Sequence, residues 1–447
     1  MNEFPNEKSI SEDPKMALTA DSGDVPCVVY LARSADEVAR RYLGRLQRLQ
    51  HEGFEVHVLA GRGPGLDVLT DHGIVARPIP VRHPHNVAGL IGAYFMIQAH
   101  LLESQPMLVH GFGHRLAGIG AFAARQADVP AVFVTMEYHW LEEDPLRLPL
   151  GPMSLLDISG MPTSIARAEE GINAIVGGPY RRTMHRGYDW LADRVDKYLV
   201  TTEFDFQLLQ DMDVVSSEKL EIAIGGPGVD LDRFSLPEEG DPQRESARRT
   251  LGLPEHWRQV VGWIGPVTRR HGADDLIAAI GKLQTTHPSV GWLVVARDEL
   301  AAGQARRLRR LERRGRVRLL EEDAEDAEIV RAMDMLAWFG RASTPHDAIT
   351  QAAALAVPTV GYDTPGARSL VEHGQTGHLV FEGDRRGAIG TIAKLLNDPR
   401  YLSDLGWRAR ARATSRFARR DVDDQVVRMY DRVLDEALAA VSGQEPA

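Results

Sequence analysis

The sequence predicts an α/β protein built from two doubly wound domains that face each other across a central cleft. Short apolar segments alternate with helical segments through both halves of the chain. The predicted strands are apolar on both faces, which is typical of a parallel sheet covered by helices on each side. A stretch rich in Gly, Pro and charge at residues 225–246 separates the halves and has the composition of a linker.

Length and composition limit the class of protein. The chain has 447 residues, which suits two domains better than one core. Its formal net charge is 52 − 63 = −11, which argues against a nucleic-acid binder. The single cysteine, Cys27, excludes an internal disulfide and fits a reducing compartment. Residues 1–25 are acidic and lack apolar periodicity, so we expect a disordered tail and no targeting signal.

The first domain is predicted at residues 26–224. Its first strand is CVVYLA at 27–32, and the helix ADEVARRYLGRLQRLQHEG follows, with a stop at Gly53. The later predicted strands are FEVHVLA (54–60), GIVARPIPV (73–81), MLVHGFG (107–113), AVFVTM (131–136) and KYLVTTEF (197–204).

Two segments of this domain need separate interpretation. The run VAGLIGAYFMI at 87–97 is too short to cross a membrane, so we interpret it as a buried helix; a membrane contact is the weaker alternative. The long, Pro-rich segment 140–190 fits neither half of the strand–helix pattern. Loops of this length are usually functional or mobile, so the segment is predicted to form a flap over the cleft.

The second domain is predicted at residues 247–420, followed by a C-terminal helix at 421–440. Its predicted strands are QVVGWIG (259–265), GWLVVAR (291–297), RVRLLEE (316–322), MLAWFG (335–340), TVGYD (359–363) and HLVF (378–381). The basic run at 306–318 is interpreted as a solvated helix face. A docking patch for acidic lipid or a partner protein is the second interpretation.

Two segments of this domain predict an anion site. Thr344 can cap a helix, Pro345 suits its first position, and Asp347 follows three residues after the cap. A helix N-terminus at the end of a strand attracts phosphate, although most helices are capped only by their own side chains. The second segment is the loop that follows the strand ending at Gly265.

That loop carries Arg269, Arg270 and His271 before the next glycine and helix. Basic side chains at the carboxyl end of a strand suit a diphosphate. A solvated loop with two surface arginines is nearly as good an interpretation of these residues alone.

The chain resembles glycosyltransferase family 4, especially its capsule and surface-polysaccharide branch, over roughly residues 27–440. The motifs that carry the resemblance include EKLEIAIGGPGVDLDRF (218–234), QAAALAVPTVGYDTPGARSLVEHGQTGHLV (351–380) and NDPRYLSDLGWRARARATSRF (397–417). In the first half, GFEVHVLAGRG (53–63) and HGIVARPIPV (72–81) also match.

The resemblance implies a GT-B fold with two Rossmann-like domains and a last helix that packs back on the first domain. It implies sugar transfer from a nucleotide-sugar to a glycan or lipid-linked acceptor, usually with retention of anomeric configuration and without a catalytic metal or other cofactor. We expect a cytoplasmic protein. Two further interactions stay open: a peripheral contact with the inner face of the membrane, and association with a partner glycosyltransferase.

The donor site departs from the family pattern. Pro266 and His271 stand where the family usually has an arginine and a lysine for the donor diphosphate. Ser343 and Gln351 stand where it has two glutamates. The resulting candidate donor-site residues are Gly265, Arg269, Arg270, His271, Ser343, Thr344, His346, Asp347 and Gln351.

Candidates for catalysis and for acceptor binding lie in the first domain. A histidine often follows the strand that ends near VTM in this family, and the counterparts here are Glu137 and His139. His110, His114 and Arg115 occupy a loop that should face the acceptor. Together with the histidines of RHPH (82–85) they could suggest a metal, but no cysteine or carboxylate completes a ligand set in the sequence.

Three functions remain open from the sequence. The first is an active glycosyltransferase of surface-glycan assembly. The second is an inactive relative that acts as a scaffold or regulatory partner of another enzyme. The third is a nucleotide-sugar sensor that binds without turnover. The fold does not separate them, because function depends on the site.

Overall fold

Two parallel sheets organise the chain in the computed structural model, which describes residues 25–81, 87–136, 190–211, 215–224, 226–236, 243–269, 271–321, 327–340 and 346–442. The first sheet has seven strands in the order β3-β2-β1-β4-β5-β6-β7, and the second has six in the order β10-β9-β8-β11-β12-β13. Every pairing within them is parallel. Both are therefore doubly wound α/β sheets, and the predicted fold class is confirmed.

The first sheet lies between two layers of helices. Its strands are β1 (Cys27–Ala32), β2 (Glu55–Ala60), β3 (Val75–Pro78), β4 (Leu108–Phe112), β5 (Ala131–Met136), β6 (Lys197–Val200) and β7 (Leu220–Ile222). Its described helices are α1 (Ala35–Arg41), α2 (Leu43–His51), α3 (Gly65–Asp71), α4 (Val87–Ser104), α5 (His114–Gln126) and α6 (Glu203–Asp211), with a short 3₁₀ turn at Ser217–Lys219.

The second sheet repeats this arrangement. Its strands are β8 (Gln259–Val267), β9 (Val290–Leu300), β10 (Val317–Leu320), β11 (Met335–Trp338), β12 (Thr359–Tyr362) and β13 (Gly377–Val380). The helices of this half are α7 (Gln243–Thr250), α8 (Ala273–Thr286), α9 (Ala302–Glu312), α10 (Ala327–Arg331), α11 (His346–Ala354), α12 (Pro365–Leu370), α13 (Arg385–Leu396) and α14 (Pro399–Arg416).

The last helix, α15 (Arg419–Ser442), contacts the first domain. It packs against α2 and β5 and buries Val426, Tyr430 and Leu434 among the residues of that core. An ion pair of 2.8 Å between Arg45 and Asp423 joins the two helices. The C-terminal helix is thus part of the core of the first domain in space, although it follows the second domain in sequence.

The helix predicted between β1 and β2 is two helices. Tyr42 separates α1 from α2 with φ −120° and ψ −1°, outside the helical region. Its ring is buried, with its centroid 4.7 Å from that of Phe112. The amphipathic pattern continues across the break, and so the sequence alone predicts one helix. Gly53 ends the second helix as expected, with φ +89°.

Helix α4 was predicted to be buried, and only one face of it is. Ala93, Ile97 and Leu101 are fully buried in the first core. The opposite face exposes large apolar side chains: Ile91, Phe95, Met96 and Leu102. Apolar residues cover the whole circumference of this helix, so hydrophobicity alone does not show which face is buried. Among the described residues, no helix combines the length and apolarity needed to cross a membrane.

Candidate functional site

The candidate site lies at the carboxyl ends of β8, β9 and β11 in the second sheet. Strands β8 and β11 are neighbours in space but are separated in sequence by β9 and β10. The chain therefore reverses its winding direction between them, and the strand ends diverge to leave a crevice. Ligands of open parallel sheets bind at such a point.

The loop after β8 is held close to the end of β11. Gly272 has φ +83°, and a Cβ at this position would lie 2.0 Å from the carbonyl oxygen of Phe339. Only glycine allows this close approach. Near the strand end, the pairing of β8 with β9 shifts register between Gly265 and Val267. Pro266 lies in this irregularity, where its lack of an N–H is tolerated.

The two described basic side chains of this loop have protein partners. The side chain of Arg269 is 85% exposed, and its Nε donates to Asp274 in the first turn of α8 at 3.1 Å. The Nδ1 atom of His271 lies 2.7 Å from the hydroxyl of Thr268. Both residues lie at the predicted edge of the sheet. Their role in holding a diphosphate stays a prediction.

Asp347 is at the start of α11 and interacts with the first domain. Its carboxylate lies 3.2 Å from Nε of Arg41, the last residue of α1. The same guanidinium donates to Glu37 at 2.7 Å. The side chains of Arg41 and Asp347 are only 8% and 14% exposed. The predicted anion-binding helix thus carries an ion pair between the two domains at its N-terminus.

Gln351 lies one turn further along α11 and is buried. Its Oε1 accepts a hydrogen bond of 3.4 Å from Nη1 of Arg297, which is itself 5% exposed. Arg297 lies near the carboxyl end of β9, next to the pair formed by Gly265 and Ala296. A buried guanidinium at this edge of the sheet is the functional candidate that sequence reasoning missed. The signal was an arginine that ends the otherwise apolar strand GWLVVAR.

Other candidates fall outside the described parts of the chain. Arg270, Ser343, Thr344, Glu137 and His139 are among them, as is nearly all of the predicted flap at 140–190. For His114, Arg115 and His346, the structure describes the backbone as helical and not the side chains. Their predicted roles therefore stay predictions.

His110 is not on the cleft surface, contrary to the prediction that it faces the acceptor. It is fully buried in β4. Its Nε2 lies 2.6 Å from the hydroxyl of Thr135, and its Nδ1 makes a short hydrogen bond with the hydroxyl of Tyr430 on α15. Both ring nitrogens are thus engaged, because the C-terminal helix covers this strand. The resemblance implied that the last helix packs on the first domain, but the sequence did not show that this helix covers β4 at His110.

Comparison with known families gives two matches. A model of Glycosyltransferase Family 4 matches residues 38–233, and a model of Glycosyl transferases group 1 matches residues 258–398. The first match contains most of the first sheet, and the second contains the whole second sheet.

Curated relatives are between a quarter and a third identical to the chain over the residues that align. A D-inositol 3-phosphate glycosyltransferase of Corynebacterium jeikeium is 26% identical over 50% of this chain, and the match spans 57% of that protein. One of the same name from Segniliparus rotundus is 25% identical over 84% of this chain and 82% of its own length. The capsular polysaccharide biosynthesis glycosyltransferase CapM of Staphylococcus aureus is 31% identical over 20% of this chain and 23% of its own.

Solved structures share the fold at low sequence identity. HepE of Anabaena, crystallised with UDP and glucose, superposes with a TM-score of 0.66 at 16% identity, covering 90% of this chain and 99% of HepE. The sucrose-phosphate synthase of Thermosynechococcus elongatus gives a TM-score of 0.67 at 16% identity, with 91% and 99% of the chains covered.

Proposed function

The chain belongs to the GT4-type glycosyltransferases with a GT-B fold, and from this premise we propose that it transfers a sugar from a nucleotide-sugar to a glycan or lipid-linked acceptor in surface-polysaccharide synthesis. HepE, of similar fold, was crystallised with UDP-glucose, which supports a uridine nucleotide as donor. The similarity to CapM supports a polysaccharide as product. We propose that the transfer retains anomeric configuration and uses no catalytic metal.

The observation that carries this proposal is the buried pair of Arg297 and Gln351. Arg297 places a guanidinium that is 5% exposed near the carboxyl edge of the second sheet. This edge is where such sheets bind their ligands. Gln351 is a neutral neighbour of Arg297, and its side-chain carbonyl oxygen accepts a hydrogen bond from Nη1 of that guanidinium.

These two residues can divide the work of donor binding. As the sugar leaves, negative charge grows on the nucleoside diphosphate, and a fixed guanidinium stabilises that charge. Arg297 can supply this stabilisation although Pro266 and His271 stand where the family usually has its cations. The side-chain amide of Gln351 can hold Arg297 in place and donate to a hydroxyl of the donor.

The first test is binding of nucleotide-sugars to the wild type and to Arg297→Met. A thermal-shift screen of UDP-, GDP- and ADP-sugars identifies the donor, and calorimetry measures its affinity. Loss of a charged hydrogen bond costs about 1.5–3 kcal/mol, so we expect affinity to fall by roughly tenfold or more in the variant. Arg309→Met is the matched control, because Arg309 is an exposed arginine on α9 that pairs with Glu321.

A second function, binding of a nucleotide-sugar without turnover, is favoured by a different observation. The described cation of the β8 loop, Arg269, is already paired with Asp274, and Gln351 cannot do the electrostatic work of a carboxylate. Such a protein would act as a sensor or as a scaffold for an active glycosyltransferase.

Release of nucleoside diphosphate separates the two functions. The enzyme releases it from the identified donor when acceptor is supplied, and Arg297→Met lowers kcat/KM by about tenfold or more. The binding protein shows donor affinity without release, both alone and with a partner glycosyltransferase added. Unchanged donor affinity in Arg297→Met would remove this residue from the site in either case.

A further inference from the structure

A cluster of potential metal ligands lies at the opposite end of the first sheet from the cleft. Cys27 is the first residue of β1, and Glu55 is the first residue of β2. The two strands pair in parallel with Cys27 beside Glu55. His57 follows Glu55 by two residues, so both side chains point to the same face of the sheet. The register of two parallel strands thus brings a thiol, a carboxylate and an imidazole together.

The three side chains are close enough to share one ion. Each offers a ligand atom, and these atoms lie within 4.8 Å of one another. The Sγ atom of Cys27 is 3.6 Å from Nδ1 of His57, and Oε1 of Glu55 is 2.9 Å from Nε2 of the same ring. Cys27 and His57 are buried, whereas the side chain of Glu55 is 51% exposed. Glu55 therefore provides the route from solvent.

The Nε2 atom of His57 is the main indication of a ligand. His57 is 6% exposed, and this nitrogen makes no hydrogen bond with any described residue. The nearby oxygen of Glu55 is close but not aligned for a hydrogen bond. A buried nitrogen without a partner is costly.

A second histidine fixes the ring of His57. The Nε2 atom of His100, on α4, lies 2.9 Å from Nδ1 of His57. A metal-bound histidine usually donates its other N–H to a neighbouring acceptor, which sets its tautomer and orientation. In the tautomer in which Nδ1–H of His57 donates to His100, Nε2 carries the lone pair, and Oε1 of Glu55 lies 2.9 Å from it. The pair of histidines therefore has the arrangement of a ligand and its support.

We propose that Cys27, Glu55 and His57 bind a zinc ion, with water as the fourth ligand. A thiolate, an imidazole and a carboxylate are all ordinary zinc ligands, and the mixed set does not suit Ca²⁺ or Mg²⁺, which prefer oxygen. Zinc replaces the thiol proton of Cys27, which goes to solvent. The ion gives the buried nitrogen of His57 its partner.

This site is remote from sugar transfer. Cys27 and Glu55 begin strands of six residues. A strand of that length spans about 20 Å, and the cleft is at its other end. The ion therefore cross-links β1 and β2 and stabilises the first domain. It takes no part in the reaction of the donor.

The test uses the full-length protein with Zn²⁺ and with Co²⁺ as a spectroscopic probe. We expect about one Zn²⁺ per chain by elemental analysis, and a higher melting temperature with added Zn²⁺. Co²⁺ should give a thiolate charge-transfer absorption. Cys27→Ser should lose this absorption, and Glu55→Gln should weaken Zn²⁺ affinity by about tenfold or more.

Glu52→Gln is the matched control, because Glu52 is a nearby exposed glutamate paired with Arg48. It should bind both metals like the wild type. Glu55→Gln changes a half-exposed side chain, so it tests the site even if Cys27→Ser fails to fold. Any of three results would overturn the proposal. They are no Zn²⁺ binding by the wild type, a Zn²⁺ affinity of Glu55→Gln equal to that of the wild type, or a Zn²⁺ stoichiometry of Cys27→Ser equal to that of the wild type.

Discussion

His110 is at the centre of a buried polar cluster between the first sheet and the C-terminal helix. Its ring stacks on Phe112 at a centroid distance of 4.5 Å, and its nitrogens contact Thr135 and Tyr430. The hydroxyl of Tyr430 lies 2.7 Å from that of Tyr30. Burial, with the nearby guanidinium of Arg45, holds the pKa of His110 well below its usual value. The imidazole is therefore neutral in the folded protein near neutral pH.

The buried neutral histidine should make the free energy of unfolding depend on pH. Below about pH 6.5 the unfolded chain takes up a proton at His110 and the folded protein does not. Stability from this group is therefore constant above that pH and is lost as pH falls through it. We expect a slope of up to about 1.4 kcal/mol per pH unit. Denaturant unfolding of wild type and His110→Asn across this range measures it.

The difference in the free energy of unfolding between wild type and variant isolates the contribution of His110 from that of other titrating groups. Burial, and also His57, lower the pKa of His100 to about 4, so His100 contributes in the same direction in both proteins. His110→Asn should be less stable than the wild type at neutral pH. Its difference from the wild type in the free energy of unfolding should become smaller as the pH is lowered. Parallel stability curves would contradict the assignment of a neutral imidazole.

At this scale, sequence reasoning found residues near the site but not their contacts. It placed Gln351 on the helix that follows β11, where the structure has it, because that helical segment is continuous in sequence; the role of Gln351 in donor binding stays a prediction. It missed Arg297, and it did not connect Cys27 with His57. Both pairings depend on register between strands or on packing between distant segments. Those contacts are set by tertiary structure, which local patterns do not encode.

Among the elements, α15 is joined to α2 by a buried ion pair. Arg45 on α2 and Asp423 on α15 have side chains that are 2% and 8% exposed, and their atoms lie 2.8 Å apart. Burial raises the pKa of Asp423, although Arg45 opposes that shift. Burying both charges is costly, so the pair fixes the position of the helix more than it adds to stability.

Removing one partner should therefore destabilise the protein strongly. Asp423→Ala leaves the guanidinium of Arg45 buried without its carboxylate, at a cost of about 3–5 kcal/mol in the free energy of unfolding. The neighbouring Asp424 makes a more exposed pair with Arg48 at 3.5 Å. Asp424→Ala should cost about 1 kcal/mol or less. Chemical denaturation measures both, and equal losses would show that burial of the pair is unimportant.

Strands were easier to predict than the ends and faces of helices. All six strands predicted in the second domain overlap observed strands, because strands buried on both faces are apolar throughout. The helix break at Tyr42 and the exposed face of α4 were not predicted. An aromatic side chain ends a helix only where the fold offers it a pocket, and an apolar circumference does not show which side meets the core.

For the whole molecule, the two sheets repeat one strand order, and Arg41 and Asp347 connect them. Arg41 ends α1 of the first domain, and Asp347 lies in the first turn of α11 of the second. Their separation of 3.2 Å and their low exposure make this a well-ordered contact across the cleft. It lies one turn from Gln351, so the contact between the domains adjoins the proposed donor site.

Breaking this contact should open the molecule. Arg41 and Asp347 form an ion pair of low exposure, and Arg41→Met removes one of its two charges, so the variant should shift the balance of closed and open forms by roughly tenfold or more. Small-angle scattering should then report a larger radius of gyration than for wild type. Arg309→Met keeps both domains' contacts and should scatter like the wild type. A nucleotide-sugar that bridges the domains should restore the compact profile of Arg41→Met, because a ligand favours the form it binds more tightly. If Arg41→Met scattered like the wild type without any ligand, contacts other than this ion pair would hold the domains together.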